Sequence, residues 1–482
     1  MAKNYLLYEL IHSLSKSEKR YFKLFCQREA SGAKYLTVFG VFEKQPVYQA
    51  EAIKHKLQAK NLGAQLHVTK NYLRQLILKS LRNFHSTISK DAEVKALLQN
   101  VEILFHKELF KLCSDELAKA ERLCHDYELL GVEYELFNWK RKLAQAINPG
   151  DFNSFEQILS NQKTGLEKMN KSNELWQLGI ASSKAISTGA KNPKVQWEQE
   201  LKTTQTLDAK VMFYYSWFLH LVVQGESAVA EEKLIELLTL LEAQPNRLKE
   251  EAGWYVSTLN NLLSLYAYQK KIDLAFALIN KAKKVYDGLD IKTENKGLLK
   301  QVLRTYNLEL EIVRSEKLFE DRLPFIERTE EFVNQYQGKM PIDYLHSFWF
   351  QFASIHFMRK DYSKSLNWIN KLLNTRAKNA RIDLQITARM LNLMVHLEQQ
   401  NLFVLRYFVD SAKRYFKKQK QVQEYEKVLL QFFITMGRLP LLEYKQAYRA
   451  LKHTLFPEEG KSLVPEGDLQ SIDFKSWLET KV

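Results

Sequence analysis

The chain reads as all-α, and three observations predict it. Glycine and proline together make up 25 of 482 residues, about half the usual share, which removes the punctuation that β-hairpins and glycine-rich cofactor loops need. From Asp91 onward, amphipathic segments of roughly 14 to 20 residues follow one another between short polar turns, and connectors that short force neighbours to lie antiparallel. In the second half the leading helices of successive pairs begin near Trp254, Glu294, Pro341, Ala380 and Lys420, at offsets of 40, 47, 39 and 40 residues. A loose period of about 40 is the mark of stacked helical hairpins, none of which can bury its apolar face alone.

Residues 1–90 form a basic helical module. They hold 16 Lys and Arg against five Glu and no Asp, a net +11 of the chain's +15. Such asymmetry points to an acidic partner, whether nucleic acid, a membrane surface or an acidic protein. Ser15-Lys-Ser-Glu18 predicts a capping box ahead of Tyr21, Phe22, Leu24 and Phe25. A further helix begins near Tyr35, Pro46 breaks it, and Gln49 to Lys60 supplies another short amphipathic segment.

The stretch LHVTKNYLRQLILKSLRNFHSTISK, Leu66 to Lys90, comes next, with Thr69 as its expected N-cap. At the helical period Leu73, Leu76, Ile77, Leu81, Phe84 and Ile88 share one arc, and Asn71, Arg74, Gln75, Lys79, Arg82 and Ser86 the opposite one. Leu78 falls within the polar arc, where packing under a neighbouring helix is the expectation. Were this the second helix of a helix-turn-helix, Lys70, Asn71 and Arg74 would approach bases or phosphates, and Lys79 and Arg82 would extend the contact. Ala59 to Gly63 has the small-x3-Gly spacing of that motif, but Thr69 and Tyr72 stand where it buries an apolar pair. A scaffold edge is the preferred reading, and a winged-helix-like module that binds nucleic acid the alternative.

Residues 91–455 read as a repeat array with breaks at Asn148-Pro149-Gly150, Asn192-Pro193, Gln244-Pro245-Asn246, Lys339-Met340-Pro341 and Leu439-Pro440. In Trp349 to Leu373, Trp349, Phe352-Ala353 and His356 line one helix, followed after a turn by Tyr362, Ser365, Ile369 and Leu372. Leu259, Leu262, Leu263 and Tyr266, then Ala275, Ile279 and Ala282, repeat the spacing, and Tyr214, Trp217, Phe218, Leu221, Ala230 and Leu234 give a third candidate. This resembles the tetratricopeptide pattern, in which a small residue on each helix lets two backbones approach. The resemblance implies a right-handed superhelical solenoid of antiparallel hairpins with a concave groove for a protein or peptide partner, here between about Asn170 and Leu455. Residues 456–482 read as a tail ending in a short helix whose Phe474, Trp477 and Leu478 dock on the last hairpin and shield its apolar end.

No enzyme signature emerges. The chain has no G-x-G-x-x-G or G-x-x-x-x-G-K-[ST] loop, no H-E-x-x-H, no G-x-S-x-G and no calcium loop. Cys26, Cys113 and Cys124 include no C-x-x-C pair and read as buried thiols, and Cys124-His125 point about 100° apart on a helix. His346 and His356 do not share a helical face, and the pairs Glu231-Glu232 and Glu330-Glu331 read as solvated acids. No cofactor and no metal are therefore expected. Tyr415 and Phe416 lie among lysines and arginines, but an inward Phe416 is preferred to a base-stacking platform. Arg406, Lys413, Arg414, Lys417 and Lys418 are the candidate contacts for an acidic partner. With no export signal and no membrane-length apolar run, a soluble cytoplasmic location and no membrane contact are expected.

Overall fold

The computed structural model describes residues 2–28, 32–60, 62, 66–188, 195–287, 296–375, 381–419, 422–458, 461–464 and 472–482. Gly63, Asn192-Pro193 and the helix starts expected at Glu294, Ala380 and Lys420 lie outside them. Among the described residues every regular element is helical, and no helix is long and apolar enough to cross a membrane. The chain divides into two compact units, one of residues 1–176 with 203–209, the other of 177–202 with 210–482.

In the first unit, α1 (Ala2–Ser13), α2 (Lys16–Gln27), α3 (Gly32–Glu43), α4 (Ala50–Gln58) and α5 (Leu66–Phe84) close one core around Ile11, Phe22, Phe39, Phe42, Leu73 and Ile77. The expected capping box opens α2: Ser15 Oγ accepts from Glu18 N at 3.2 Å, and Glu18 accepts from Ser15 N at 2.6 Å. Helices α6 (Lys90–His106), α7 (Phe110–Tyr127) and α8 (Leu130–Ile147), with the first part of α9 (Phe152–Thr188), enclose a second core. All three cysteines are buried free thiols. Burial raises the Cys124 pKa to about 12, so that thiol stays protonated.

The second unit begins within α9 and runs through α10 (Trp197–Thr203), α11 (Leu207–Gln224), α12 (Ser227–Glu242), α13 (Pro245–Glu250), α14 (Ala252–Tyr268) and α15 (Ile272–Tyr286). It continues with α16 (Lys296–Ser315), α17 (Leu323–Tyr336), α18 (Ile342–Met358), α19 (Tyr362–Leu373), α20 (Ile382–Glu398) and α21 (Leu402–Phe416), and ends with α22 (Glu424–Met436), α23 (Tyr444–Leu455) and α24 (Phe474–Glu479). Three leading helices pack both on their hairpin partner and on the next leading helix: α14 on α15 and α16, α18 on α19 and α20, α20 on α21 and α22.

One turn recurs between these helices. Gly225, Lys270, Lys317, Lys360 and Gln400 all take positive φ, at spacings of 45, 47, 43 and 40 residues. After each, the next N–H reaches back five residues, as from Lys271 to Tyr266 O at 2.9 Å and from Asp361 to His356 O at 2.8 Å. This is the left-handed helix stop that satisfies orphan carbonyls, and glycine suits it best. Only one of the five is glycine.

The small-residue contact expected of the Trp349–Leu373 hairpin is present. Ala353 and Ser365 are fully buried, and the Ser365 hydroxyl donates to Ala353 O at 2.8 Å, fixing α19 against α18. Polar links join successive leading helices. Thr305 donates to Asn260 Oδ1 at 2.8 Å, Arg304 Nη1 to Asn261 Oδ1 at 2.9 Å and Arg314 Nε to Gln351 Oε1 at 2.8 Å. Buried donors and acceptors satisfied this way fix the register of one hairpin on the next.

Candidate interaction surfaces

Helix α5 starts three residues before its expected cap, so Thr69 lies inside it and is buried. Leu73, Leu76 and Ile77 are buried as the arc predicts, whereas Phe84 ends the helix exposed and Ile88 lies beyond it, also exposed. Leu78 is exposed rather than packed. Of the five candidate nucleic-acid contacts, Asn71, Arg74 and Arg82 share the exposed stripe that Leu78 centres. Lys70 and Lys79 curl to opposite edges, with their ammonium groups 5.6 Å from the Phe42 ring and 5.5 Å from the Phe25 ring. Desolvation lowers the pKa of half-buried Lys70. No acidic residue lies on α5.

The second surface is α21. Leu405, Val409, Ala412 and Phe416 recur at helical spacing and are buried. The opposite stripe is exposed throughout: Phe403, Arg406, Tyr407 and Asp410, then Lys413, Arg414, Lys417 and Lys418. Phe403 is 86% exposed and Tyr407 65%. Arg406 Nε donates to Gly437 O at 2.7 Å, which ties the start of α21 to the turn carrying Leu441 and Leu442, the latter 96% exposed. Arg406, Lys413 and Arg414 therefore share one face of α21, with Arg406 beside the aromatic pair, and Lys417 and Lys418 follow in the turn after the helix. Basic groups at a helix C-terminus suit its dipole in any protein; the exposed aromatic pair has no such explanation. Phe416 points inward as expected, and Tyr415 lies beneath Arg389, 3.5 Å from ring to guanidinium.

The third site is the seat of α24. Phe474, Trp477 and Leu478 are buried, with Trp477 edge-on to Tyr448 and Phe432, so the expected docking on the last hairpin is present. The docking also reaches back along the unit. Trp477 Nε1 donates to Glu398 Oε1 at 2.7 Å, Lys481 to Glu398 Oε2 at 2.7 Å, and Lys317 to Ser476 Oγ at 3.0 Å. Burial, then Glu398, push the Tyr362 hydroxyl up to about 12. Helix α24 thus contacts residues within the span, about 170–455, that was expected to receive a partner.

Two expectations about acids and histidines divide. His356 is a buried packing residue, as expected, but Glu330 is not a freely solvated acid: it lies 2.6 Å from His356 Nε2. Among the described residues no group of three His, Cys, Asp or Glu side chains could hold a metal ion. Comparison with protein-family models, with curated proteins and with solved structures finds no match, so the functional reading rests on geometry alone.

Proposed function

We propose that the chain is a non-enzymatic helical-repeat scaffold that binds an acidic, amphipathic segment of a partner protein along α21. The observation that carries this reading is the bipartite exposed surface, with Phe403 and Tyr407 one turn apart, Lys413 and Arg414 on the same face, and Lys417 and Lys418 in the turn that follows. Exposed aromatic rings supply anchors that gain by desolvation, and neighbouring cations select an acidic partner and speed its encounter. Among the described residues none of those four cations is in an ion pair, although Arg414 Nε donates to the Asp410 carbonyl at 3.3 Å. The recurring left-handed turns and the Ala353–Ser365 contact support tetratricopeptide-like hairpins stacked as a solenoid, with α21 as the outer helix of its hairpin.

The test is anisotropy with a labelled synthetic helix carrying two leucines one turn apart followed by four glutamates. Phe403→Ser with Tyr407→Ser, and separately Lys413→Glu with Arg414→Glu, should each weaken binding at least ~10-fold, as loss of anchor or of charge complementarity does. Equal binding of a scrambled peptide would reject the site.

A second reading is favoured by the acid-free exposed stripe of α5: a nucleic-acid-binding regulator that contacts phosphates through Asn71, Arg74 and Arg82. Duplex DNA or RNA should then bind at ~50 mM salt, weaken steeply as salt rises, and lose affinity when all three become alanine. No binding at low salt dismisses that reading.

A further inference from the structure

Within the first unit, α9 leaves one run of large apolar side chains uncovered. Phe152, Leu159 and Leu166 are 72%, 49% and 43% exposed and recur every seven residues. A seven-residue repeat drifts only about 20° per heptad on an α-helix, so the three form one nearly straight ridge about 21 Å long. The helix already has a packed side. Ile158 joins the core of α6, α7 and α8, Gln162 Nε2 donates to Asn138 Oδ1 at 3.0 Å, and a Cβ on Gly165 would lie 3.5 Å from Glu133 Oε2. At the helical period the ridge stands roughly 90° round from that side, the position of the next neighbour in a square four-helix arrangement.

Two exposed charges, Glu156 and Lys163, flank the ridge on the side away from α8 and are in no ion pair among the described residues. They too lie seven residues apart, beyond the i, i+4 reach of a pair on one helix. An occupant of this ridge must offer apolar groups at the same spacing and the opposite charges in reversed order. A second α9 laid antiparallel offers both. With the two-fold axis at Leu159, that residue meets its own copy, Phe152 meets Leu166 of the second copy, and Leu166 meets Phe152. On the flank, Glu156 falls beside Lys163 of the second copy, and the reverse. Parallel pairing would instead set Glu156 against Asp151, two like charges.

We propose that this ridge is a homodimerisation face, on which two copies of the chain pair antiparallel through Phe152, Leu159 and Leu166 with a Glu156–Lys163 bridge at each end. The same patch serves both copies, so the assembly closes at two. One helix from each copy in contact over about 21 Å covers less than the ~1,200 Å² of a standard interface, and the dimer is therefore reversible, with Kd on the order of 10–100 µM. The face is independent of the α21 surface, and either can fail without the other.

Sedimentation equilibrium of the full chain from ~1 to ~200 µM should show a mass rising towards that of two copies. Leu159→Glu, which sets like charges on the axis, should leave the chain monomeric throughout with its helical signal unchanged. Glu156→Lys and Lys163→Glu should each weaken association ~5-fold or more, because two attractive pairs become repulsive. An equal mixture of those two variants should associate more tightly than either alone, since unlike copies restore both bridges. A monomer at ~200 µM, a dimer indifferent to Leu159→Glu, or a mixture no tighter than its components would each overturn the proposal.

Discussion

Truncating Trp477 to alanine removes the largest anchor of α24. The side chain is 7% exposed, so nearly all of its surface returns to water, and aromatic-to-alanine truncation in such a site costs about 3–5 kcal/mol. Its indole N–H also donates to the Glu398 carboxylate at 2.7 Å, a bond to a charged group worth about 1.5–3 kcal/mol. The two figures overlap, because truncation values already contain lost hydrogen bonds. Glu398 keeps Lys481 and Tyr362, so the carboxylate is not stranded. The loss falls on the docking of α24 rather than on the whole unit, since α14 to α23 pack on one another without it. Three kcal/mol or more corresponds to a loss of protection of roughly a hundredfold or greater. Hydrogen exchange read by mass spectrometry should show that loss in residues 472–482 of Trp477→Ala and no change in α14. Trp477→Phe, which keeps most of the apolar volume, should lose less protection, and that loss should shrink in a Glu398→Gln background. If Trp477→Ala leaves exchange of residues 472–482 within threefold of the parent, the helix is not held by this side chain and the argument fails.

The turns give two further expectations. Gln400→Gly relieves a left-handed cost of ~1–2 kcal/mol and gives back ~0.4–1 through a freer unfolded chain, so the urea midpoint should rise slightly. Gly225→Ala, at φ +78 with open space around the new Cβ, should lower the midpoint through backbone strain alone. Buried Glu309 has its pKa raised by desolvation, despite the Lys283 ammonium 2.9 Å away. The folded state therefore favours the protonated acid, and the stability this provides is full below pH ~4.5 and lost as pH rises through the folded pKa. Glu309→Gln should consequently gain on the parent between pH 4 and pH 7 in denaturant titrations. A gap between the two proteins that stays constant with pH would contradict the assignment.

Helical pattern, the α2 cap and hairpin pairing were legible because they are local, whereas the Thr69 cap was misplaced. The Ser15–Glu18 box, the break at Asn148-Pro149-Gly150 and the paired Ala353 and Ser365 all follow from residues close in the chain. The 37-residue α9 was not anticipated, because the regular segment length suggested shorter helices. Its Gly179 passes so near α11 that an added Cβ would lie 3.0 Å from Met212 Cε, which pattern alone does not reveal. Phe403 and Tyr407 were missed for another reason: aromatic residues on an amphipathic helix resemble core residues until the neighbours are placed. The reach of α24 back to earlier hairpins was invisible, since Lys317 and Ser476 meet across 159 residues of sequence.

Lys317 and Lys360 hold the same backbone conformation and are followed by the same back-reaching hydrogen bond. Joining Lys317 directly to Asp361 would splice two equivalent corners and excise 43 residues without altering how the corner is built. The cost would fall on side chains that are matched to one particular neighbour, Arg314 against Gln351 first among them. The bends would survive such an edit unchanged, and its limit would be set by the seams between modules.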